Sequence, residues 1–345
     1  MATRMRGEIA QQPAAVAATL EALLPLAGEI ERLGAGVRHV LLIARGSSDN
    51  AAVYAQYLCT VRAGRLATLA SPSVATAYRA SVDLSGILAV GVSQSGATEE
   101  IVQTLAWARA CGARTIAVTN VAGSPLAAGA DLALVTQAGE ELAVPATKTF
   151  LTQLVALSVV GLSLAGDRAG LDALRSVPDA VAQALGAADA AEALAVRLTY
   201  VERLAVSARG YAYAIARELA LKLQEACYVT ALGLSYADLE HGPIAVIDAA
   251  TPVLLLAGSR DEVMLGPMTA LARRCRDEGA HVYGIGGDAE FAAACREVLP
   301  EVPLPAELSP LSLIVPGQLL TEALARAKGI DPDNPRALRK VTQTS

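Results

Sequence analysis

The sequence predicts an α/β protein with two doubly wound, mainly parallel sheets flanked by helices. Three observations predict this class: short β-rich runs that alternate with helical patterns, a repeat of that order in the second half, and few aromatic residues. Of the 345 residues, 53% are hydrophobic but only 3% are aromatic. An interior made of Ala, Val and Leu favours helices packed on a buried parallel sheet.

The first half of the chain contains five β-rich runs, each bounded by Gly, Ser or Asp. They are Arg38–Ala44, Leu66–Ala70, Ile87–Val92, Arg114–Thr119 and Leu132–Val135. Helical patterns lie between them, as over Ala51–Arg62 and over Glu99–Cys111, where Gly112 suits a helix C-terminus. Strands that alternate with helices are typical of βαβ units with right-handed crossovers and a doubly wound sheet.

The second half repeats this order with weak identity. His39–Gly46 is echoed by Glu202–Gly210, and Leu88–Ser95 by Val253–Arg260, at nearly equal spacing. Repeated landmarks in register indicate two copies of one α/β fold. The expected division is an N-terminal helical segment at residues 1–30, a first domain that binds the ligand at 31–175, and a second domain at 190–345.

Composition argues against several classes of partner. A formal net charge of -6, with acids and bases interspersed, provides no basic surface for nucleic acid. Five cysteines without a CxxC pair and three dispersed histidines predict reduced thiols and no zinc site. The N-terminus lacks the apolar core of a secretory signal, which favours a cytoplasmic protein. Phe150–Gly166 is nearly all apolar but short for a bilayer, so we predict a buried helix.

A turn rich in hydroxyls joins a predicted strand that ends at Val92 to a predicted helix that begins near Glu99. Its sequence is Ser93-Gln94-Ser95-Gly96-Ala97-Thr98. Hydroxyls and backbone N–H groups at a helix N-terminus suit a phosphate dianion, and glycine lets the backbone approach it closely. The alternative is ordinary N-capping by Thr98.

A second polar turn, Gly46-Ser47-Ser48-Asp49-Asn50, also follows a predicted strand. Both turns should lie at the crevice where open α/β sheets bind ligands. The equivalent turn of the second half, Gly258-Ser259-Arg260-Asp261, lacks the hydroxyl pattern and gains an acid. We therefore expect one phosphate site per chain, with the second copy contributing catalytic groups and packing.

Three further features have two interpretations when judged from the residues alone. Glu218, Lys222 and Glu225 are three and four residues apart on one predicted helix and could be surface ion pairs. His241, beside Gly242-Pro243, could be a turn residue, and Lys340 could be a solvated charge near the C-terminus.

Several motifs in a fixed order give the chain a resemblance to a known family. They are Met5-Arg-Gly-Glu-Ile-Ala-Gln-Gln-Pro13, Ala44-Arg-Gly-Ser-Ser48, Ser93-Gln-Ser-Gly-Ala-Thr98, Thr119-Asn-Val-Ala-Gly-Ser124, Val144-Pro-Ala-Thr-Lys-Thr-Phe150, Glu218-Leu-Ala-Leu-Lys-Leu-Gln-Glu225, Glu240-His-Gly-Pro243 and Asp333-Asn-Pro-Arg-Ala-Leu-Arg-Lys340. Along nearly its whole length the chain resembles the two-domain sugar isomerases of the SIS family, which include the isomerase portion of glucosamine-6-phosphate synthase and aminosugar-phosphate deaminases.

This resemblance implies two tandem SIS domains of flavodoxin-like fold and assigns roles to individual residues. The implied phosphate-binding residues are Ser93, Gln94, Ser95 and Thr98. The implied sugar-binding residues are Gly46, Ser48, Val144, Ala146 and Glu218. Glu225 would shuttle a proton between C1 and C2 beside Lys222, His241 would assist ring opening, and Lys340 could form an imine with the open-chain sugar. The resemblance also implies a homodimer, in which His241 could serve the neighbouring subunit, and no metal or organic cofactor.

Departures from the synthase pattern narrow the expected reaction. The synthase begins with a glutaminase domain whose second residue is cysteine, whereas here Ala2 follows Met1 and the isomerase motif begins at once. Glu240 and Arg45 replace a lysine and a cysteine of the synthase. We therefore expect an aminosugar-phosphate isomerase/deaminase that converts a hexosamine 6-phosphate to a ketohexose 6-phosphate and ammonia. The alternatives are a deglycase for phosphorylated Amadori compounds, a plain phosphosugar isomerase, and a non-catalytic sugar-phosphate sensor.

Overall fold

The computed structural model describes residues 3–340 of the chain. The strands are β1 His39–Ile43, β2 Leu66–Leu69, β3 Ile87–Val92, β4 Arg114–Thr119, β5 Leu132–Val135, β6 Arg203–Ala208, β7 Thr230–Ser235, β8 Val253–Ala257, β9 Val282–Gly286 and β10 Glu297–Leu299. The helices are α1 Arg4–Ala10, α2 Gln12–Leu23, α3 Ala27–Leu33, α4 Ser47–Val61, α5 Ser73–Thr76, α6 Glu99–Ala110, α7 Pro125–Gly129, α8 Lys148–Ala165, α9 Arg168–Ala173, α10 Val177–Ala184, α11 Ala188–Arg197, α12 Tyr213–Cys227, α13 Tyr236–Glu240, α14 Leu265–Asp277, α15 Ala289–Ala294 and α16 Pro310–Ala327.

The chain forms two compact units with the same sheet topology. Among the described residues, unit A comprises 14–141, 148–176 and 339–340, and unit B comprises 3–13, 142–147 and 177–338. The sheet of unit A has the order β2-β1-β3-β4-β5, and that of unit B has the matching order β7-β6-β8-β9-β10. All pairings between these strands are parallel. The predicted pair of doubly wound α/β sheets is therefore confirmed.

The elements of unit A follow the predicted ones, with one instructive difference. Helix α4 begins at Ser47, four residues before the predicted start at Ala51. Gly46, at φ +58°, turns the chain sharply out of the strand, so the helix starts at once. Ser47 and Ser48 thus lie in the first turn of a helix rather than in a loop.

Within residues 3–340, three helical segments are long and apolar enough to cross a membrane by length and composition: Gln12–Leu33, Lys148–Ala165 and Ala306–Ala327. In this structure 94% of the second and all of the third are buried, whereas the first is 39% buried. The second segment is α8, which packs on α4 within unit A. Ser158 on α8 is hydrogen-bonded to Tyr54 at 2.8 Å, so this polar group is satisfied inside the unit. The predicted buried helix is thus a core helix.

Candidate functional site

The hydroxyl-rich turn Ser93–Thr98 lies at the carboxyl end of β3 and is held by the backbone around it. The Gly96 N–H donates to Ser93 O at 3.1 Å, and the Leu126 N–H donates to Gly96 O at 3.0 Å. Gly96 has φ +60°, and a Cβ at this position would lie 2.1 Å from Ser124 Oγ. The turn therefore requires glycine both for its backbone conformation and for its close contact with Ser124.

The hydroxyls of this turn bond within the turn and do not cap the helix that follows. Thr98 occupies the N-cap position of α6 but its side chain makes no capping hydrogen bond. Its Oγ1 instead lies 3.2 Å from Ser93 Oγ, and Ser95 Oγ accepts from the Ala97 N–H at 3.2 Å. By contrast, Ser124 at the start of α7 does accept from a helix N–H. The capping alternative for Thr98 is therefore wrong.

A cavity of about 110 Å³ adjoins this turn in unit A. It lies where β1 and β3 are neighbours in the sheet, and α4 and α6 begin directly after these two strands. This is the switch point of a doubly wound sheet, and helix N-termini here favour an anion. The lining residues are Arg45, Ser48, Val92, Ser93, Gln94, Ser95, Thr98, Ile101 and Lys340.

Two cations line this cavity, and each is paired with an acid. Arg45 donates from Nε and Nη2 to the two carboxylate oxygens of Glu100, at 2.9 and 3.0 Å. Lys340 Nζ lies 2.5 Å from Glu141 Oε2. Glu141 is wholly buried, and its carboxylate also accepts from the N–H and hydroxyl of Thr149. Lys340 is thus not a solvated tail charge.

The second group of predicted residues lies on α12 in unit B. Lys222 contacts Glu225, and its Nζ lies 3.6 Å from Glu218 Oε1. Glu218 and Lys222 are at most 1% exposed, whereas Glu225 is 22% exposed. The surface-pair alternative is therefore wrong: one buried ammonium lies between two carboxylates, of which only that of Glu225 reaches solvent.

Glu225 borders a cavity of about 550 Å³ in unit B. The chain segment that leads toward the C-terminus forms part of its wall, because the Arg336 guanidinium lies 4.3 Å from the ring centroid of Tyr228 and the Arg336 N–H donates to Tyr228 Oη. The lining residues are Gln224, Glu225, Tyr228, Val229, Thr230, Ala231, Leu232, Arg336, Ala337 and Leu338. A cavity of this size is typical of small-molecule sites.

His241 lies at the end of α13 in unit B, and its side chain is exposed. The helix end is fixed by Glu240, which accepts from Arg274 Nη1 at 2.7 Å. A hydrogen bond to Glu240 also raises the pKa of Tyr236, over whose ring Arg209 lies at 5.2 Å. Within the described part of unit B, no hydrogen bond joins His241 to the cluster around Glu225.

The predicted sugar-binding residues are divided between the units. Gly46 and Ser48 belong to unit A, and Glu218 belongs to unit B, as do Val144 and Ala146. The last two lie half-buried in the loop 142–147, whose start is held by Glu8: the N–H groups of Leu142 and Ala143 donate to its carboxylate at 2.5 and 3.3 Å.

Sequence reasoning missed Glu8, Glu141 and the role of Arg45. The sequence pattern around the two acids gave little indication of their contacts. Glu8 lies inside a motif that carried only the resemblance, and Glu141 lies just before the motif that begins at Val144.

In the second repeat, the turn after β8 is occupied by a carboxylate of the protein. The Ser259 N–H donates to Glu301 Oε1 at 2.6 Å. Burial raises the pKa of Glu301, against the opposing effect of its hydrogen bonds to Ser259. Asp261, the acid of this turn, accepts from the Met264 N–H at 3.0 Å.

Clustered metal ligands and paired cysteines are both absent from residues 3–340. No cluster of three or more His, Cys, Asp or Glu side chains within residues 3–340 is placed to hold a metal ion. The five cysteines are free thiols. Burial raises the pKa of Cys59, Cys227 and Cys295 to about 12, so these three are protonated at neutral pH.

Comparison with known proteins gives the two units a common family. The SIS domain model matches residues 35–163 and 197–294. The chain belongs to the SIS domain family. The first SIS segment spans β1 to most of α8, and the second spans β6 to α15. The resemblance to the SIS family is thus confirmed.

The relatives of these SIS domains include phosphosugar enzymes. The glutamine–fructose-6-phosphate aminotransferase of Leifsonia xyli is 34% identical, over 97% of this chain and 58% of the relative. The C-terminal domain of glucosamine-fructose-6-phosphate aminotransferase from Francisella tularensis has a TM-score of 0.89 and 28% identity, over 97% of this chain and 99% of that domain. A glucosamine-6-phosphate deaminase from Thermotoga maritima shares the fold, with a TM-score of 0.79 and 22% identity over 99% and 100% of the two chains. This chain therefore spans little more than half the length of the full aminotransferase.

Proposed function

We propose that this protein is a phosphosugar isomerase that acts on a hexosamine 6-phosphate and releases ammonia. The observation that carries the proposal is the Ser93–Thr98 turn, whose hydroxyls line a cavity at a helix N-terminus and do not cap the helix. Membership of the SIS family and the aminosugar-phosphate enzymes among the relatives support the substrate class.

The phosphate is bound in unit A. The hydroxyls of Ser93, Ser95 and Thr98 rotate to donate to its oxygens, because a dianion is a stronger acceptor than the neighbouring hydroxyl. The N-termini of α4 and α6 contribute a favourable field. Ser48 and the amide of Gln94 supply further donors at the cavity wall.

Glu225 is the base that moves the proton. Once the ring opens, the aldehyde at C1 acidifies the C2–H bond. Glu225 removes this proton while O1 takes up a proton, which gives an enaminol. It then returns the proton to C1 as the amino group loses one N–H proton, which leaves an imine at C2 and a hydroxyl at C1. Water adds to the imine, and ammonia leaves to give the ketohexose 6-phosphate. Neither a metal nor an organic cofactor takes part in these steps.

Burial of the neighbouring groups prepares Glu225 for this role. Lys222, which is 1% exposed, holds the Glu225 side chain in place from the protein side. The exposed 22% of Glu225 leaves the carboxylate accessible from the cavity beside it. A positioned carboxylate base contributes on the order of a hundredfold to ten-thousandfold to rate.

The remaining assignments belong to the same proposal. His241 assists ring opening, in its own subunit or in the neighbouring one of a homodimer. Lys340 forms an imine only after it loses a proton and leaves Glu141; in the described arrangement it serves as a cation in the phosphate cavity. The protein acts in the cytoplasm on a small-molecule sugar phosphate, without nucleic acid or membrane partners.

The first test is an assay of ammonia release from glucosamine 6-phosphate and galactosamine 6-phosphate. Glu225→Gln should lower kcat by about a hundredfold or more with an unchanged fold. Glu202→Gln, an exposed acid of unit B, is the matched control and should have wild-type activity.

Four other results would contradict the proposal in distinct ways. Turnover of a phosphorylated Amadori compound in place of either hexosamine phosphate would indicate a deglycase, and ammonia-independent turnover of a phosphorylated sugar would indicate a plain isomerase. Tight sugar-phosphate binding without turnover would indicate a sensor. Full activity of Glu225→Gln would remove Glu225 from the mechanism.

A further inference from the structure

We propose that Arg45 is a substrate-binding residue that contacts the phosphate of the ligand and is held in place by Glu100. The inference rests on the proposed function and deepens it, because it assigns a cation to the phosphate site. Arg45 stands where the resemblance to the synthase places a cysteine, so the residue roles implied by that resemblance do not include it.

The backbone places Arg45 at the cavity mouth. It lies between the end of β1 and Gly46, whose φ of +58° turns the chain into α4. The side chain lines the cavity together with Ser48 and the Ser93–Thr98 turn. It is 47% exposed, so a ligand can reach the guanidinium from solvent.

The pairing with Glu100 leaves donors available on the guanidinium. Glu100 accepts from Nε and Nη2, whereas an arginine has five N–H groups in a fixed fork. Within the described residues, the Nη1 group has no protein partner. The two hydrogen bonds fix the plane of the fork, which reduces the entropy that binding would cost.

The position of Glu100 near the cavity makes a cation beside it favourable for phosphate binding. Glu100 lies in the first turn of α6, the helix whose N-terminus adjoins the cavity. An acid there stabilises the helix but repels a bound dianion. The Arg45 guanidinium offsets this repulsion, so the cavity remains suited to phosphate.

The second repeat supplies an internal comparison. Arg209 precedes Gly210 as Arg45 precedes Gly46, yet Arg209 stacks on Tyr236. In that repeat the equivalent turn is occupied by the Glu301 carboxylate. In unit A, by contrast, Arg45 lines the cavity beside the Ser93–Thr98 turn.

The competing explanation is that Arg45 merely clamps β1 to α6. Under that explanation, Arg45→Ala and Glu100→Gln break the same contact and change ligand binding equally. If Arg45 binds phosphate, the two variants differ: Arg45→Ala removes the cation and weakens binding, whereas Glu100→Gln weakens it less, because the lost support of Arg45 is offset by removal of a charge that repels the dianion.

Binding is measured by calorimetry and by thermal shift with glucose 6-phosphate, inorganic phosphate and glucose. Arg45→Ala should weaken glucose 6-phosphate binding about tenfold, as expected for one partly exposed charged hydrogen-bond donor. Arg45→Lys should recover part of the loss. Arg109→Ala is the matched control. Arg109 lies on α6, is 52% exposed, is paired with Asp131, and does not line the cavity. The Arg109→Ala variant should bind glucose 6-phosphate as the wild type does. In the ammonia-release assay, Arg45→Ala should raise KM with little change in kcat.

Each outcome decides the question. Equal losses in Arg45→Ala and Glu100→Gln, or wild-type affinity in Arg45→Ala, would overturn the inference. If Arg45→Ala fails to fold, Arg45→Gln retains a hydrogen bond to Glu100 and gives the same comparison. Failure of the proposed function has a different signature: the wild-type protein itself would bind glucose 6-phosphate no more tightly than glucose.

Discussion

Replacement of Gly96 by alanine tests whether the phosphate turn has the conformation described above. The backbone at Gly96 has φ +60°, and an added Cβ would lie 2.1 Å from Ser124 Oγ and 2.6 Å from Thr119 Oγ1. Ser124 is buried and caps α7, so it cannot rotate away without losing that hydrogen bond. The substitution therefore strains the backbone and displaces a packed side chain.

The expected cost has two parts. A left-handed conformation costs alanine about 1–2 kcal/mol, and the displacement of packed groups costs about 1–3 kcal/mol. Gly64→Ala isolates the first part, because Gly64 has φ +62° and nothing lies within 4 Å of its added Cβ. At about 2–4 °C per kcal/mol for a unit of this size, Gly96→Ala should lower Tm by on the order of 10 °C and Gly64→Ala by about 4 °C.

Differential scanning calorimetry with and without glucose 6-phosphate provides the readout. Gly96→Ala should also lose the stabilisation by glucose 6-phosphate, whereas Gly64→Ala should keep it. Equal Tm values for the two variants would refute the steric argument. A Gly96→Ala protein that keeps wild-type affinity for the ligand would refute the assignment of the turn as the phosphate site.

Two further predictions concern buried charge in unit B. Lys222→Met should destabilise the fold by about 3–5 kcal/mol in urea unfolding, because it leaves the buried Glu218 without its cation. A loss of stability below about 1 kcal/mol would contradict this. The double variant with Glu218→Gln added should recover part of the stability. Burial raises the pKa of Glu301 above its usual 4.5, so the stability from this group is present below pH 4.5 and lost as pH rises through the folded-state pKa. Glu301→Gln should therefore have a higher Tm than the wild type at pH 7 and lose that advantage near pH 4, and parallel Tm curves would contradict the sign.

The sequence predicted the strands of unit A well because strong breakers bound them. The structure has β3, β4 and β5 at the predicted residues: β3 lies between Gly86 and Ser93, β4 follows Gly112-Ala113, and β5 follows Asp131. The start of α4 was missed because Ser47 and Asp49 are polar enough to resemble a loop. Only the backbone at Gly46 shows that the helix begins beside the strand.

The parts of the candidate site that are formed by residues close together in the sequence were predictable. Ser93–Thr98 forms one continuous turn, so its place after a strand followed from order along the chain. The pairing of Lys340 with Glu141 joins residues 199 positions apart, which periodicity cannot detect. Helical spacing predicted that Glu218 and Lys222 are neighbours, but their burial depends on packing between α12 and α16.

The contact between Glu8 and the loop 142–147 has a practical consequence for work on this protein. Helix α1 is a support for that loop rather than a dispensable arm, and it is itself secured by Asp333, which accepts from the N–H groups of Arg4 and Met5. Deleting α1, or displacing it with a fused segment, would remove the carboxylate that accepts from the N–H groups of Leu142 and Ala143. A loss of sugar binding in such a variant would then reflect a collapsed scaffold, so affinity tags and truncations should spare this helix.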